Sequence, residues 1–200
     1  YESRMRTGAA LYREAHVDAD LVSGVPESGV VSALGYAEVS GLPFRMTLIK
    51  NKYVGRSFIV PSQELRERAV NVKLNALRQN VEGKRIILID DSIVRGTTSR
   101  RLVTLLREAG AKEVHVRVAS PPVAYPCYFG IDIPSRDELA ASRGLDEIRE
   151  MLGADSLAYL SVEGLLDSLG DRHRFCTGCF TGVHPIAAPV EEEKLVFEES

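Results

Sequence analysis

The chain has 200 residues, of which 44% are hydrophobic and 26% are charged. This length fits one domain of ordinary size, and the hydrophobic fraction is large enough for a buried core, so the composition excludes a disordered chain. Lys and Arg total 25 and Asp and Glu total 28, which leaves a net charge of −3. We therefore expect no nucleic-acid partner, because such proteins usually carry a surplus of positive charge.

The sequence also argues against a membrane protein and against a disulfide-stabilised one. The densest apolar run, Ile86–Ile89, ends at two aspartates and is far shorter than the roughly 20 residues needed to span a bilayer. The chain has three cysteines, an odd number that forms no disulfide framework. We expect a cytoplasmic protein, with the cysteines used for metal binding or redox chemistry.

Hydrophobic periodicity predicts strands that alternate with helices, and hence a parallel sheet with right-handed crossovers. In such a sheet, ligands bind at the carboxyl ends of the strands. In chain order, the predicted elements are a helical segment over 1–16, a strand over 17–22, a turn over 23–29, a helix over 30–39, a strand over 44–49, a polar loop over 50–57, a charged helix from Ser62 to Gln79, a strand over 85–89, a helix capped by Thr98 or Ser99 and ended by Gly110, and strands over 114–118 and 157–160.

The segment 86–99 carries the strongest functional signal. A buried strand brings Asp90 and Asp91 to its carboxyl end, and Gly96-Thr97-Thr98-Ser99 then begins a helix whose free N–H groups, hydroxyls and dipole suit an anion. A pair of acids for hydroxyls or a metal, next to a phosphate site, predicts a sugar-phosphate ligand. The alternative is an ordinary turn followed by a helix cap. The segment is neither a Walker A loop nor a dinucleotide fingerprint.

Residues 86–99 resemble the phosphoribosyl-diphosphate (PRPP) motif of the type I phosphoribosyltransferases, and most closely that of the glutamine-dependent amidotransferase branch. The resemblance continues, in the family's order, at 25–29, 50–56, 119–123 and 128–132. It covers the chain from about Asp18 to Pro185. It implies the type I phosphoribosyltransferase fold, an α/β fold with a parallel sheet flanked by helices, followed by irregular C-terminal wrapping.

The resemblance also implies a set of site residues. Asp90 and Asp91 engage the ribose hydroxyls and, with Ser28, hold one Mg²⁺, while the turn at 25–29 places backbone N–H groups against the diphosphate. A helix N-cap is the alternative role for Ser28. Glu27 departs from the aspartate that many members carry. The residues that the resemblance assigns to PRPP are Pro26, Glu27, Ser28, Gly29, Asp90, Asp91, Arg95, Gly96, Thr97, Thr98 and Ser99.

The polar loop at 50–57 corresponds to the family's catalytic loop, which closes over PRPP. Lys50, Tyr53 and Arg56 are suited to contact the diphosphate, although a solvated basic loop is the alternative. The implied reaction is displacement of diphosphate from C1 of PRPP by ammonia, which gives 5-phosphoribosylamine in the first step of purine synthesis. A salvage base phosphoribosyltransferase and a non-catalytic PRPP-sensing regulator remain alternatives.

In the amidotransferase branch, ammonia comes from glutamine in an N-terminal glutaminase domain with a terminal cysteine nucleophile. This chain begins at Tyr1 and its first cysteine is Cys127, so we expect a fragment that lacks the glutaminase. The expected organisation is a helical lead-in over 1–16, the phosphoribosyltransferase domain over 17–185 and an acidic tail over 186–200. The resemblance further implies a homotetramer inhibited by purine nucleotides.

The cysteines allow several interpretations. Cys176 and Cys179 form a C-x₂-C pair that suits a redox dithiol, or a zinc site with His173 and His184, or two free structural thiols. The resemblance favours another role, because the cluster-containing members of the family hold a [4Fe–4S] cluster with four cysteines. Cys127, Cys176 and Cys179 match three of them, and the fourth lies upstream of this sequence.

Overall fold

The computed structural model describes residues 1–51, 74–127, 129, 139–170 and 174–186. The elements are α1 (Glu2–Ala15), β1 (Leu21–Gly24), α2 (Val30–Ser40), β2 (Leu48–Lys50), β3 (Leu74–Ala76), α3 (Arg78–Val81), β4 (Arg85–Asp90), α4 (Thr97–Glu108), β5 (Glu113–Val118), a 3₁₀ turn (Ala140–Ser142), α5 (Leu145–Leu152), β6 (Ser156–Tyr159), α6 (Val162–Leu169) and α7 (Gly178–Thr181). The centre of the fold is a four-stranded parallel sheet in the order β1-β4-β5-β6, and β2 and β3 form a separate antiparallel pair.

Strand β4 lies inside the sheet and is buried on both faces. Ile86 and Leu88 belong to the apolar cluster beneath α4 and α5, whereas Ile87 and Ile89 belong to the cluster on the side of α1 and α2. This explains the unbroken apolar run, because a strand covered on both sides has no polar face. The predicted parallel sheet flanked by helices is confirmed.

Helix α1 packs closely against α2 at two glycines. A Cβ atom on Gly8 would overlap the carbonyl oxygen of Ser32, and one on Gly35 would overlap the carbonyl oxygen of Met5. A buried hydrogen bond of 3.1 Å joins the hydroxyls of Thr7 and Ser32 at the same crossing. The two helix backbones are therefore in direct contact.

Two strand predictions were misplaced at the start of the chain. β1 begins at Leu21, not at residue 17, because Asp18 and Asp20 lie beyond the strand end and bind Arg85 at 2.6 and 3.0 Å. The strand predicted over 44–49 is regular only as β2, Leu48–Lys50. Phe44 instead forms a single bridge to Val22 of β1.

The prediction of a helix from Ser62 to Gln79 was wrong at its end. Residues 62–73 lie outside the described residues, but 74–76 form the strand β3 and a short helix begins only at Arg78. β3 pairs with β2, so that Leu74 lies opposite Lys50 and Ala76 opposite Leu48. This pairing is made with a distant segment, which local helix propensity does not register.

Among the helices of the described ranges, none is long and apolar enough to cross a membrane.

Candidate active site

The carboxyl ends of β1 and β4 open into one cavity of about 460 Å³. The strands are parallel neighbours, so that the loop after β1 and the loop after β4 face each other at this edge. The cavity is lined by Val25, Pro26, Ser28 and Leu74 and by the continuous segment 90–99. Most of the predicted PRPP-binding residues therefore share one cavity, at the position expected for a parallel sheet. Glu27 and Gly29 do not line it.

Asp90 is the last residue of β4, and its side chain is only 7% exposed. One carboxylate oxygen accepts a 2.9 Å hydrogen bond from the N–H of Asp91, and Ser28 lines the same cavity beside this carboxylate. Burial, together with the charge of Asp91, raises the pKa of Asp90 to about 7. Two neighbouring carboxylates, one of them buried, form a site that a cation or a sugar diol would stabilise.

The raised pKa predicts that stability depends on pH. The pKa of Asp90 is about 7 in the folded protein, compared with its usual value of 3.8. The folded state therefore binds more protons than the unfolded state between about pH 4 and 7. The free energy of unfolding is then expected to fall as the pH rises through this range in the absence of Mg²⁺, by on the order of 1–4 kcal/mol.

The Asp90→Asn variant should lose this part of the pH dependence and be more stable than the wild type at pH 8. Denaturant unfolding of both proteins in chelator, from pH 5 to pH 8, measures the difference. Equal slopes for the two proteins would contradict the prediction.

Helix α4 begins at Thr97, with Gly96 as its N-cap. The prediction that Thr98 or Ser99 caps the helix was therefore wrong. Gly96 has a φ of +81°, a left-handed conformation that glycine adopts without strain, and no side chain caps the helix. The first intrahelical bond runs from the N–H of Arg100 to the carbonyl of Gly96 at 2.9 Å, which leaves the preceding N–H groups available to an anion.

The loop at 25–29 lies directly on the end of β4. The N–H of Val25 donates to the carbonyl of Ile89 at 2.8 Å, and a Cβ on Gly29 would overlap that same carbonyl oxygen. Gly29 is also the N-cap of α2. The alternative role of Ser28 as a helix cap is therefore wrong.

Lys50 lines a neighbouring cavity of about 410 Å³, which shares Pro26, Leu74, Thr97 and Thr98 with the first one. Tyr53 and Arg56 lie outside the described residues. Arg101 also lines this second cavity, and the sequence analysis missed it. The available signal was its spacing, because a residue four positions after Thr97 lies on the same face of a helix.

The three cysteines lie near one another in the C-terminal part. Cys127 and Cys179 pack beside Val123 and Leu139, and the N–H groups of Ala124 and Tyr125 donate to the carbonyl of Cys179 at 2.9 and 3.0 Å. Burial, with the neighbouring Cys127 and Cys176, raises the pKa of the Cys179 thiol.

All three thiols are free. Of the zinc candidates, His173 lies outside the described residues, and the ring of His184 packs against Gly178 and Phe129. Among the residues that the structure describes, no group of three or more His, Cys, Asp or Glu side chains is arranged to hold a metal ion. The cysteines are neighbours, but they do not form a closed ligand set.

A comparison with protein families decides which family this fold and cavity represent. The phosphoribosyl transferase domain model matches residues 6–120, which include most of α1, both site loops and the strands that carry them. The chain belongs to the phosphoribosyltransferase family. The match of this phosphoribosyltransferase domain begins inside α1.

Curated relatives of the phosphoribosyltransferase domain include the amidophosphoribosyltransferases of Archaeoglobus fulgidus and Bacillus subtilis, which are 55% and 54% identical to it. The alignments cover 96% and 92% of this chain, but 43% and 40% of the relatives. The chain therefore spans less than half the length of these relatives. They match the amidotransferase interpretation and not the salvage enzyme or the regulator.

Solved structures agree with these curated relatives. Glutamine phosphoribosylpyrophosphate amidotransferase from B. subtilis, complexed with ADP and GMP, matches with a TM-score of 0.85 at 52% identity, over 95% of this chain and 43% of that chain. A second structure, described as the allosteric regulatory enzyme of purine biosynthesis, also has a TM-score of 0.85, at 53% identity over 95% of this chain and 42% of that chain. The type I fold expected for the phosphoribosyltransferase domain is confirmed.

Proposed function

We propose that this chain is the phosphoribosyl-transfer part of an amidophosphoribosyltransferase, a pentosyltransferase of class EC 2.4.2.14. The whole protein converts PRPP and ammonia, taken from glutamine, to 5-phosphoribosylamine and diphosphate in the first step of purine synthesis. The observation that carries the proposal is the single cavity in which Asp90, Asp91 and Ser28 face the free N–H groups of α4. The identity of more than half with curated amidophosphoribosyltransferases supports it.

The residues of this chain act mainly by binding and orientation. The N–H groups and hydroxyls of Thr97, Thr98 and Ser99 hold the 5′-phosphate at the positive end of α4. Asp90 and Asp91 accept hydrogen bonds from the ribose hydroxyls. The loop at 25–29 binds the diphosphate, and Lys50, which faces the neighbouring cavity, adds positive charge to the leaving group. Tyr53 and Arg56 are assigned to the same task by the family resemblance. C1 is thus fixed for attack by ammonia with water excluded.

The residues at the end of β4 fit Mg²⁺. The ion prefers oxygen ligands, keeps several waters, and needs one or two carboxylates when substrate phosphates complete its shell. Asp90 and Asp91, with the hydroxyl of Ser28, are such a set, and burial together with the charge of Asp91 raises the pKa of Asp90, which a bound cation would counteract. When bound, the ion neutralises charge on the departing diphosphate.

The cysteines fit a [4Fe–4S] cluster in donor type. Cys127, Cys176 and Cys179 lie near enough for the first and the second to affect the pKa of the third. Iron–sulfur clusters take thiolate ligands, commonly four, so these three need one more cysteine from elsewhere in the whole protein. We assign the cluster a structural role, which ties α7 and the segment around Cys127 together.

The proposal includes the expected partners. The B. subtilis relative was solved with ADP and GMP, which supports the binding of purine nucleotides by the whole protein. The free thiols of all three cysteines support the cytoplasm as its location. The homotetramer stays a prediction from the family.

The nitrogen source tests this proposal. The whole protein that contains this chain should release diphosphate from PRPP with either glutamine or ammonia, because the glutaminase supplies ammonia to the site described here. The 200-residue chain alone should respond only to ammonia, and weakly. A coupled assay for diphosphate measures both rates. Diphosphate release that depends on glutamine in the isolated chain would overturn the assignment of roles, and the absence of any release by the whole protein would overturn the proposed reaction.

A further inference from the structure

Helix α1 contacts the candidate active site directly. The guanidinium of Arg4 donates a 2.8 Å hydrogen bond to the backbone carbonyl of Ser28. Ser28 lies in the loop after β1 and lines the same cavity as Asp90 and Asp91. A hydrogen bond therefore joins α1 to the loop that lines the cavity opposite the acidic pair.

This hydrogen bond is not needed to attach α1. The contact between α1 and α2 is already made by the glycine crossing at Gly8 and Gly35 and by the buried hydrogen bond between Thr7 and Ser32. Arg4 is exposed, and an exposed hydrogen bond contributes little to folding. The stability of the domain therefore gives no reason for an arginine at this position.

The positive charge of Arg4 lies next to the loop at 25–29. Within the described ranges, Arg4 forms no ion pair, so no carboxylate neutralises its guanidinium. A guanidinium that binds a peptide carbonyl polarises that peptide and keeps positive charge next to the loop. An anion bound by the loop is stabilised by both effects.

We propose that Arg4 is a positioning residue for the diphosphate group of the substrate. It fixes the carbonyl of Ser28, and with it the loop at 25–29, and it places a positive charge behind that loop. This inference rests on the proposed function, and it adds to the site a residue that precedes the first strand. The 5′-phosphate, held by α4 at the other end of the cavity, gains nothing from Arg4.

The test uses the whole protein with Arg4→Ala, Arg4→Lys and the control Arg13→Ala. Arg13 is an exposed arginine on the same helix, away from the loop. Its replacement therefore removes the same charge from the helix without removing a contact to the loop. Calorimetry measures binding of Mg²⁺-diphosphate, of ribose 5-phosphate and of Mg²⁺-PRPP, and thermal unfolding measures stability.

Arg4→Ala should weaken binding of diphosphate and PRPP by about five- to tenfold, the loss expected for one charge-assisted hydrogen bond. Binding of ribose 5-phosphate and the midpoint of unfolding should stay unchanged. Arg4→Lys should recover part of the affinity, and Arg13→Ala should bind like the wild type. In the ammonia-dependent reaction, Arg4→Ala should raise KM for PRPP more than it lowers kcat.

The result that overturns the inference is diphosphate and PRPP affinity within twofold of the wild type in Arg4→Ala. A parallel loss of ribose 5-phosphate binding, or a lowered unfolding midpoint, would also overturn it, because the role would then be structural. If the wild-type protein binds no Mg²⁺-PRPP, the proposed function itself fails, so the two failures are distinguishable.

Discussion

Replacing Asp90 and Asp91 together with asparagine is expected to abolish binding of Mg²⁺-PRPP. Both side chains lie at the end of β4 in the same cavity, and Asp90 is nearly buried. Asparagine keeps the shape but removes both negative charges, and a neutral amide is a poor ligand for Mg²⁺ compared with a carboxylate. A loss of at least about a hundredfold in affinity is expected, because the proposed site uses the pair for both the metal and the ribose hydroxyls.

The fold should survive this change. The packing of β4 depends on Ile86–Ile89, and removing two repelling carboxylates at its end should stabilise the free protein. Calorimetry with Mg²⁺-PRPP and a thermal unfolding curve measure the two effects separately. Asp146→Asn with Glu147→Gln is a matched control, since these adjacent carboxylates lie exposed on the first turn of α5. Unchanged affinity in the Asp90–Asp91 variant would rule out the proposed site.

The second large effect concerns the cysteines. The whole protein, purified without oxygen, should be brown and contain iron and sulfide, and replacing Cys127 with serine should remove the colour. Because a metal site that does not exist in the unfolded chain contributes its binding energy to folding, the variant should also unfold more easily around α7. Visible absorption, iron analysis and limited proteolysis measure these results.

Two further variants separate iron–sulfur from zinc. Thr177→Ala changes a residue between Cys176 and Cys179 without removing a thiol, so it should stay brown. His184→Gln should have no effect on a cluster held by cysteines, but it should release zinc from a site made of two cysteines and two histidines. A colourless protein with stoichiometric zinc, insensitive to Cys127→Ser, would reject the cluster. The assignment of the cavity at Asp90–Ser99 would stand in that case.

The sheet and its main helices were predictable from local patterns. β4 was placed within one residue, because an apolar run closed by two aspartates has few alternative structures. The helix over 30–39 corresponds closely to α2, and the strand over 114–118 to β5, since both have clear breaks at each end. These signals lie within short stretches of sequence.

The features that were missed depend on distant partners. β3 forms because Leu74–Ala76 pairs with β2, and nothing within residues 62–79 indicates that pairing. Gly96 caps α4 through its left-handed backbone, whereas the sequence offered two residues with better side chains for the task. A glycine is needed at position 29 because any side chain there would overlap the carbonyl of Ile89, which lies on another strand. The hydrogen bond from Arg4 to Ser28 could not be predicted either, because its two residues are also distant in the sequence.

The order of strands in the sheet has a consequence for synthesis on the ribosome. β1 is hydrogen-bonded to β4 and not to the strand that follows it in the chain. Asp20, next to β1, therefore cannot bind Arg85 until a further 65 residues have been synthesised. At about 5–20 residues per second, this delay lasts several seconds. During that time β1 and the loop at 25–29 have emerged, but their partner strand has not. The cavity between the loop at 25–29 and the segment 90–99 therefore forms only when the centre of the sheet is complete.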